Sequence, residues 1–266
     1  MQPPSRWLAH SPMTEPGELA GLFARLPSDV ADLDRVVQGL LIHGDQLARY
    51  GDDPGAFAPV SRTTLPVKQR LAALLERDGR ALNEVREPTR REVGTCRDFA
   101  LMLCAFLRAA GTAARVRCGF ASYFADAWED HWVCEYWNSS DGRWCLTDAQ
   151  IDDVQRAAFR VAFDISDVPR EKFLIAGEAW LRCRAGQDKP ERFGQGGTRG
   201  LWFMKVNVVR DAYAINNRET SPWDRWRECP PELRTVAAEE TTALDALARN
   251  PEGVVALMPA WLDGAA

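Results

Sequence analysis

The sequence predicts an α+β fold, in which an apolar helix packs on an antiparallel sheet between helical flanks. Two observations carry this prediction. From Cys96 to Ala110, Phe99, Leu103, Phe106 and Leu107 recur at i, i+4, i+7 and i+8, which is one face of a helix. Directly afterwards the period changes: residues 114–124, 131–137 and 143–149 are rich in β-branched and aromatic side chains, and Asp141-Gly142 marks a hairpin between the last two. One buried helix followed by three antiparallel strands is a helix-on-sheet arrangement.

The other elements follow in order. Residues 15–26 and 29–48 read as two helices, separated by Pro27-Ser28-Asp29 as a break and N-cap. Gly, Pro and Asp make 51–64 a loop. Pro66 opens a helix that runs to Arg77, with Leu71, Leu74 and Leu75 at helical spacing. Gly111 supplies the stop after the central helix. Downstream, a helix is expected around 170–184, a strand running into a turn over 201–217, and a helix from Glu232 to Arg249 closed by Asn250-Pro251. The Gly-rich stretch 193–200 reads as a mobile surface loop, since Arg199 stands where a phosphate-binding GxGxxG would need its third glycine. No linker divides the chain, so a single domain is expected: a helical flank over 1–89, a core over 90–150 and an extension over 151–266.

Composition excludes several function classes. The chain has 266 residues, 46% hydrophobic and 27% charged, with a net charge of −5, as in an ordinary soluble globular protein. The mild acidity gives no basic footprint for nucleic acid. The longest apolar run, Phe99 to Leu107, is far short of a membrane span. The N-terminal stretch has Pro and polar residues where a secretory signal would be apolar, so a cytoplasmic location with reduced thiols is expected. The seven cysteines form no CxxC pair, and only Cys134 has a histidine at zinc-ligand spacing, so no metal is expected. Of 33 basic residues only Lys68, Lys172, Lys189 and Lys205 are lysines, a bacterial-like composition consistent with GC-rich coding.

A cysteine nucleophile needs its thiolate form, a base and a group that orients the base. Cys96 stands at the first turn of the central helix, where orphan N–H groups and the dipole stabilise an anion. Cys104 lies mid-helix, and Cys118, Cys134 and Cys145 lie within strands. There are three histidines; His10 and His43 fall in a Pro-rich segment and on a polar helix end, whereas His131 opens a strand. Asp148 lies near the end of the next strand, beside or diagonal to His131 across the hairpin, with Asp152 and Asp153 as alternatives. The Cys96 N–H is a natural oxyanion donor; Arg91, Thr95 and Trp132 are candidates for the second. Phe120, Tyr123, Phe124, Trp128 and Trp132 could wall an acyl groove, and Arg210-Asp211 and the run Trp223-Asp224-Arg225-Trp226 could shape it.

The run GTCRDFALMLCAFLRAAGTAARVRCGF, then DHWVCEYW, then DGRWCLTDA, resembles the core of the transglutaminase-like superfamily. The shared pattern is a helix-start Cys, a helix ending in Arg-Ala-x-Gly-x-x-Ala-Arg, a His followed by an aromatic, and Trp-x-x-x-Asp. The resemblance implies a papain-like fold with Cys96, His131 and Asp148 as catalytic triad, acting without metal or organic cofactor on a peptide, amide or thioester, carrier-bound substrates included. It covers about 90–150, so substrate choice is not transferred, and the triad alone does not separate hydrolysis from transfer to an amine. A retired scaffold used for protein binding is the alternative. A papain-type protease would carry its histidine much farther from the cysteine than His131 is from Cys96.

Overall fold

A computed structural model describes residues 5–51, 53–58 and 65–252, which form two compact units. Among the described residues, one comprises those of 5–116 and 133–168, the other those of 117–132 and 169–252. Each unit is assembled from separate stretches of chain, so the division does not coincide with the flank and core boundaries at 89/90 and 150/151.

In the first unit, α1 (Val30–Leu40) leads directly into β1 (Leu41–His43), and α2 (Val67–Arg77) precedes β2 (Glu92–Gly94) and α3 (Cys96–Ala109). Asp29 caps α1 by accepting from the Ala31 and Asp32 N–H groups. The single helix expected over 29–48 is therefore interrupted. Leu41, Ile42 and His43 pair in parallel with Glu92, Val93 and Gly94. The apolar Leu40-Leu41-Ile42 run suits a short buried strand as well as a helix, and periodicity cannot separate the two. Both α1 and α2 pack on α3, which is buried from Arg97 to Arg108. Its sequence stripe marks one apolar face, while Leu101 and Met102 are buried outside it and Arg108 donates to the Ala114 carbonyl and to Thr14.

The strands β3 (Ala114–Ala121), β4 (Trp128–Asn138) and β5 (Arg143–Thr147) follow, then α4 (Asp153–Phe159). β5 runs antiparallel to β4, with Cys134 opposite Thr147 and Asn138 opposite Arg143. The turn between them places Gly142 at φ 64°, a left-handed conformation that glycine adopts without steric cost. Both β3 and β4 continue from one unit into the other.

The second unit holds β6 (Phe173–Ile175), α5 (Ala176–Arg184), β7 (Phe193–Gln195), β8 (Thr198–Arg199), α6 (Leu201–Ile215) and α7 (Ala238–Arg249). Strand order in the sheet is β6-β3-β4-β7-β8, with β5 also on β4. β6 is antiparallel to β3 and β8 to β7, while β7 joins β4 in parallel. At Gly119 a Cβ would stand 2.2 Å from the Leu174 carbonyl oxygen, so the β3–β6 approach requires glycine. The expected surface loop at 193–200 is in fact this short β7–β8 hairpin.

Residues 201–217 also differ from expectation: they are helix α6, not a strand. Every residue from Trp202 to Ile215 is buried, so the helix shows no polar face and its Val and aromatic content imitates a buried strand. Helices α5, α6 and α7 pack on one another. The helix expected from Glu232 begins at Ala238, after a short 3-10 turn at Pro231–Leu233.

Candidate functional site

Cys96 is the first residue of α3 and is half-buried. The helix start is fixed from two sides. Asp98 accepts from the Thr95 N–H (2.7 Å) and the Thr95 hydroxyl (3.0 Å), tying the first turn to the residue before Cys96. The other Asp98 oxygen lies 3.0 Å from Arg70 Nη2, and both side chains are buried. Arg70 also donates to the Val93 carbonyl (3.1 Å), so α2 holds both β2 and the turn that carries Cys96. The thiol thus sits at a rigid helix N-terminus, whose dipole favours an anion.

The other six cysteines differ. Cys104 and Cys118 are fully buried, and burial pushes the thiols of Cys134 and Cys145 up. Cys183 is half-buried, with its thiol pushed up to about 11 by burial and by nearby Asp188 and Glu191. Cys229 is also half-buried, in the segment after a 3-10 helix, where its Sγ lies 3.7 Å from the Pro230 carbonyl.

His131 lies in β4 and is 2% exposed. Its ring packs edge-on against Phe124 (4.8 Å between centroids), Tyr123 (6.0 Å) and Phe173 (6.3 Å). Of the five aromatics considered as groove walls, Tyr123 and Phe124 therefore lie beside His131. Phe120 and Trp128 pack on Phe193 in the core, and Trp132 lies beneath the Arg210 guanidinium. The other histidines are placed differently: His43 Nδ1 accepts from the Asp45 N–H, and burial lowers the His10 pKa.

Asp148 immediately follows β5 and is 1% exposed. Its N–H donates to the Ile165 carbonyl (2.9 Å), and its carboxylate accepts from the Gln150 N–H (3.1 Å). The alternatives at this position are differently engaged. Asp152 caps α4 through the Gln155 N–H and accepts from the Tyr50 hydroxyl, and Asp153 is exposed. A chain of hydrogen bonds connects this region: Gln150 donates to Gln155, and Gln155 to Tyr50. Arg91, one oxyanion candidate, donates to the Arg86 carbonyl and lies 3.7 Å from Asp152; another, Thr95, has its hydroxyl on Asp98.

Beneath Asp148 lies a carboxyl that sequence reading missed. Asp34 of α1 is buried and accepts hydrogen bonds from Thr147 (2.9 Å) and Ser166 (3.0 Å). Burial pushes its pKa up to about 8, opposed by those two hydrogen bonds and reinforced by the Asp148 and Asp164 carboxylates. An acidic residue on the apolar face of an amphipathic helix, one turn from Val30 and Val37, was the available signal.

A cavity of about 520 Å³ in the second unit is lined by Arg117, Glu178, Leu181, Asp211 and Leu247, and none of the three candidates borders it. Among the described residues, no group of three or more His, Cys, Asp or Glu side chains could hold a metal ion, and no helix is long and apolar enough to cross a membrane.

A solved structure described as a candidate cysteine protease from Cytophaga hutchinsonii is similar at 18% identity and a TM-score of 0.36, over 55% of this chain and 41% of that one. No curated protein matches. The model of the transglutaminase-like superfamily matches residues 60–149, a segment that begins upstream of the expected core and contains Cys96, His131 and Asp148. The likeness to the transglutaminase-like superfamily is thus confined to residues 60–149.

Proposed function

We propose that the protein is a cysteine-dependent acyl-transfer enzyme in which Cys96 is the nucleophile, His131 the base and Asp148 the group that orients it. The observation that carries this reading is the position of Cys96, alone among seven cysteines at the first turn of a rigidly capped helix. The β4–β5 register, with Cys134 opposite Thr147, fixes the end of β5 that carries Asp148. The superfamily match across all three residues supports the assignment as a set.

His131 takes the proton from Cys96, and the thiolate sulfur bonds to the carbonyl carbon of a peptide, amide or thioester. The C–N or C–S bond to the leaving group breaks, and imidazolium returns the proton to the departing amine or thiol. Water or an amine then attacks the acyl-thioester and gives its proton to His131; the C–S bond to Cys96 breaks and the thiol is restored. Water as acceptor makes the enzyme an amidase or peptidase, and an amine makes it an acyltransferase. Substrates are free or carrier-bound acyl compounds, and the location is cytoplasmic.

The test is to incubate the protein with a simple acyl thioester, with and without hydroxylamine, and to map the products by mass spectrometry. Transient acylation of Cys96 is expected, followed by hydroxamate formation when the amine is present. Acyl groups spread over Cys183 and Cys229 at the same rate as over Cys96, with no turnover above buffer, would leave a retired scaffold as the better account.

A further inference from the structure

Helix α6 is buried along its length, yet carries Asn207, Arg210 and Asp211 in its interior. Unpaired, such groups would cost several kcal/mol each, so their partners show what the helix grips. Asp211 takes both the Arg117 guanidinium (2.7 Å) and the Cys118 N–H (2.9 Å) on β3. Asn207 and Arg210, one turn apart, both reach Asp130 on β4. Asn207 Nδ2 donates to Asp130 (2.8 Å) and to the Gly119 carbonyl (3.3 Å), while Arg210 Nη1 reaches Asp130 (3.2 Å) and Asn207 Oδ1 (2.8 Å). Arg210 Nε donates to Asp224 (3.2 Å), whose other oxygen accepts from the Ser221 N–H (2.8 Å). The same guanidinium lies 4.9 Å from the centre of the Trp132 ring.

Asp130 and Trp132 are the two neighbours of His131 in β4. Their side chains turn to α6, while the His131 ring lies against Phe124, Tyr123 and Phe173. We propose that Arg210, with Asn207 and Asp224, is a positioning residue for His131: it clamps the residues on either side and thereby fixes the direction of the imidazole. A grip on both neighbours restricts rotation of the strand about its own axis, which is the motion that would swing the ring. This rests on the reading of His131 as base. It assigns a part in catalysis to residues 201–228, which lie outside the matched superfamily segment.

The test uses Arg210→Lys, which keeps the charge but loses the fork and the stack, and the double variant Asp130→Asn/Arg210→Met, which removes the Asp130–Arg210 pair together and leaves Asp224 on the Ser221 N–H. With only three histidines in the chain, each imidazole resonance can be assigned by NMR. The His131 ring proton is expected to shift and broaden in both variants, since it feels the ring current of Phe124, while His10 and His43 stay in place. Turnover of the acyl thioester should fall about tenfold or more in kcat at an almost unchanged KM. Should Arg210→Lys fail to fold, the double variant decides alone. A folded double variant with an unmoved His131 resonance and unchanged kcat overturns the proposal. The NMR readout does not require turnover, so an enzyme that never acylates Cys96 would refute the catalytic reading while leaving the clamp separately measurable.

Discussion

Replacing Cys96 with alanine is expected to reduce turnover of an acyl thioester by at least about a thousandfold, with the melting temperature within about 3 °C of the parent. The two halves of that expectation have separate origins. The helix start is held by Thr95, Asp98 and Arg70, none of which uses the cysteine side chain. Cys96 is half-buried and small, so truncation removes one sulfur and leaves little cavity. The chemistry, by contrast, has no other sulfur in a comparable position. His131→Asn should bring a loss of the same order, and the double variant should be no worse than either single one, because nucleophile and base act as one unit. Steady-state assay of the three variants, with thermal melts beside them, checks all of this. A double variant that loses the product of the two single losses would mean that Cys96 and His131 act independently.

The second large effect is on stability and its pH dependence. In the folded chain Asp34 holds its proton up to about pH 8, whereas unfolded it releases it near pH 4. The folded state therefore binds more protons than the unfolded state across that window, and stability from this group falls as pH rises from about 4 to about 8, with no further loss above. Asp34→Asn retains the shape of the neutral carboxyl and can still meet the Thr147 and Ser166 hydroxyls. The variant should match the parent near pH 4 and exceed it above pH 8, by up to about 3–5 kcal/mol. Urea denaturation at a series of pH values checks this, and parallel stability curves for the two proteins would refute it. Ionisation of Asp34 also brings a second negative charge to face Asp148, so the parent's activity should decline above pH 8 and the decline should be weaker in Asp34→Asn.

The centre of this protein was legible in its sequence because its signals are local. The stripe over 96–110, the hairpin at Asp141-Gly142 and the position of Cys96 at a helix start each depend on a few adjacent residues, and each appears in the structure. The partners that hold these elements were not legible. Arg70 meets Asp98, Asp34 meets Thr147, and Arg210 meets Asp130, pairs far apart in sequence that only folding brings together. Helix α6 was misread for a related reason: a helix buried on every side has no amphipathic period, so its class is set by the elements packed around it. Its polar residues were nonetheless a usable sign. A lysine, an asparagine, an arginine and an aspartate inside an otherwise apolar run must each find a partner, whereas the sequence marked Arg210-Asp211 only as a cluster that could shape a groove.

The central claim is that Cys96 is an activated nucleophile served by His131. The direct measurement is the rate at which each cysteine reacts with iodoacetamide at pH 6, followed by mass spectrometry in the parent and in His131→Asn. Cys183 and Cys229 are the internal standards, being the other two half-buried thiols. Alkylation of Cys96 at least about tenfold faster than at either standard, and loss of that advantage in His131→Asn, is the predicted result. Equal rates at Cys96, Cys183 and Cys229, or a Cys96 advantage that persists without the imidazole, would contradict it.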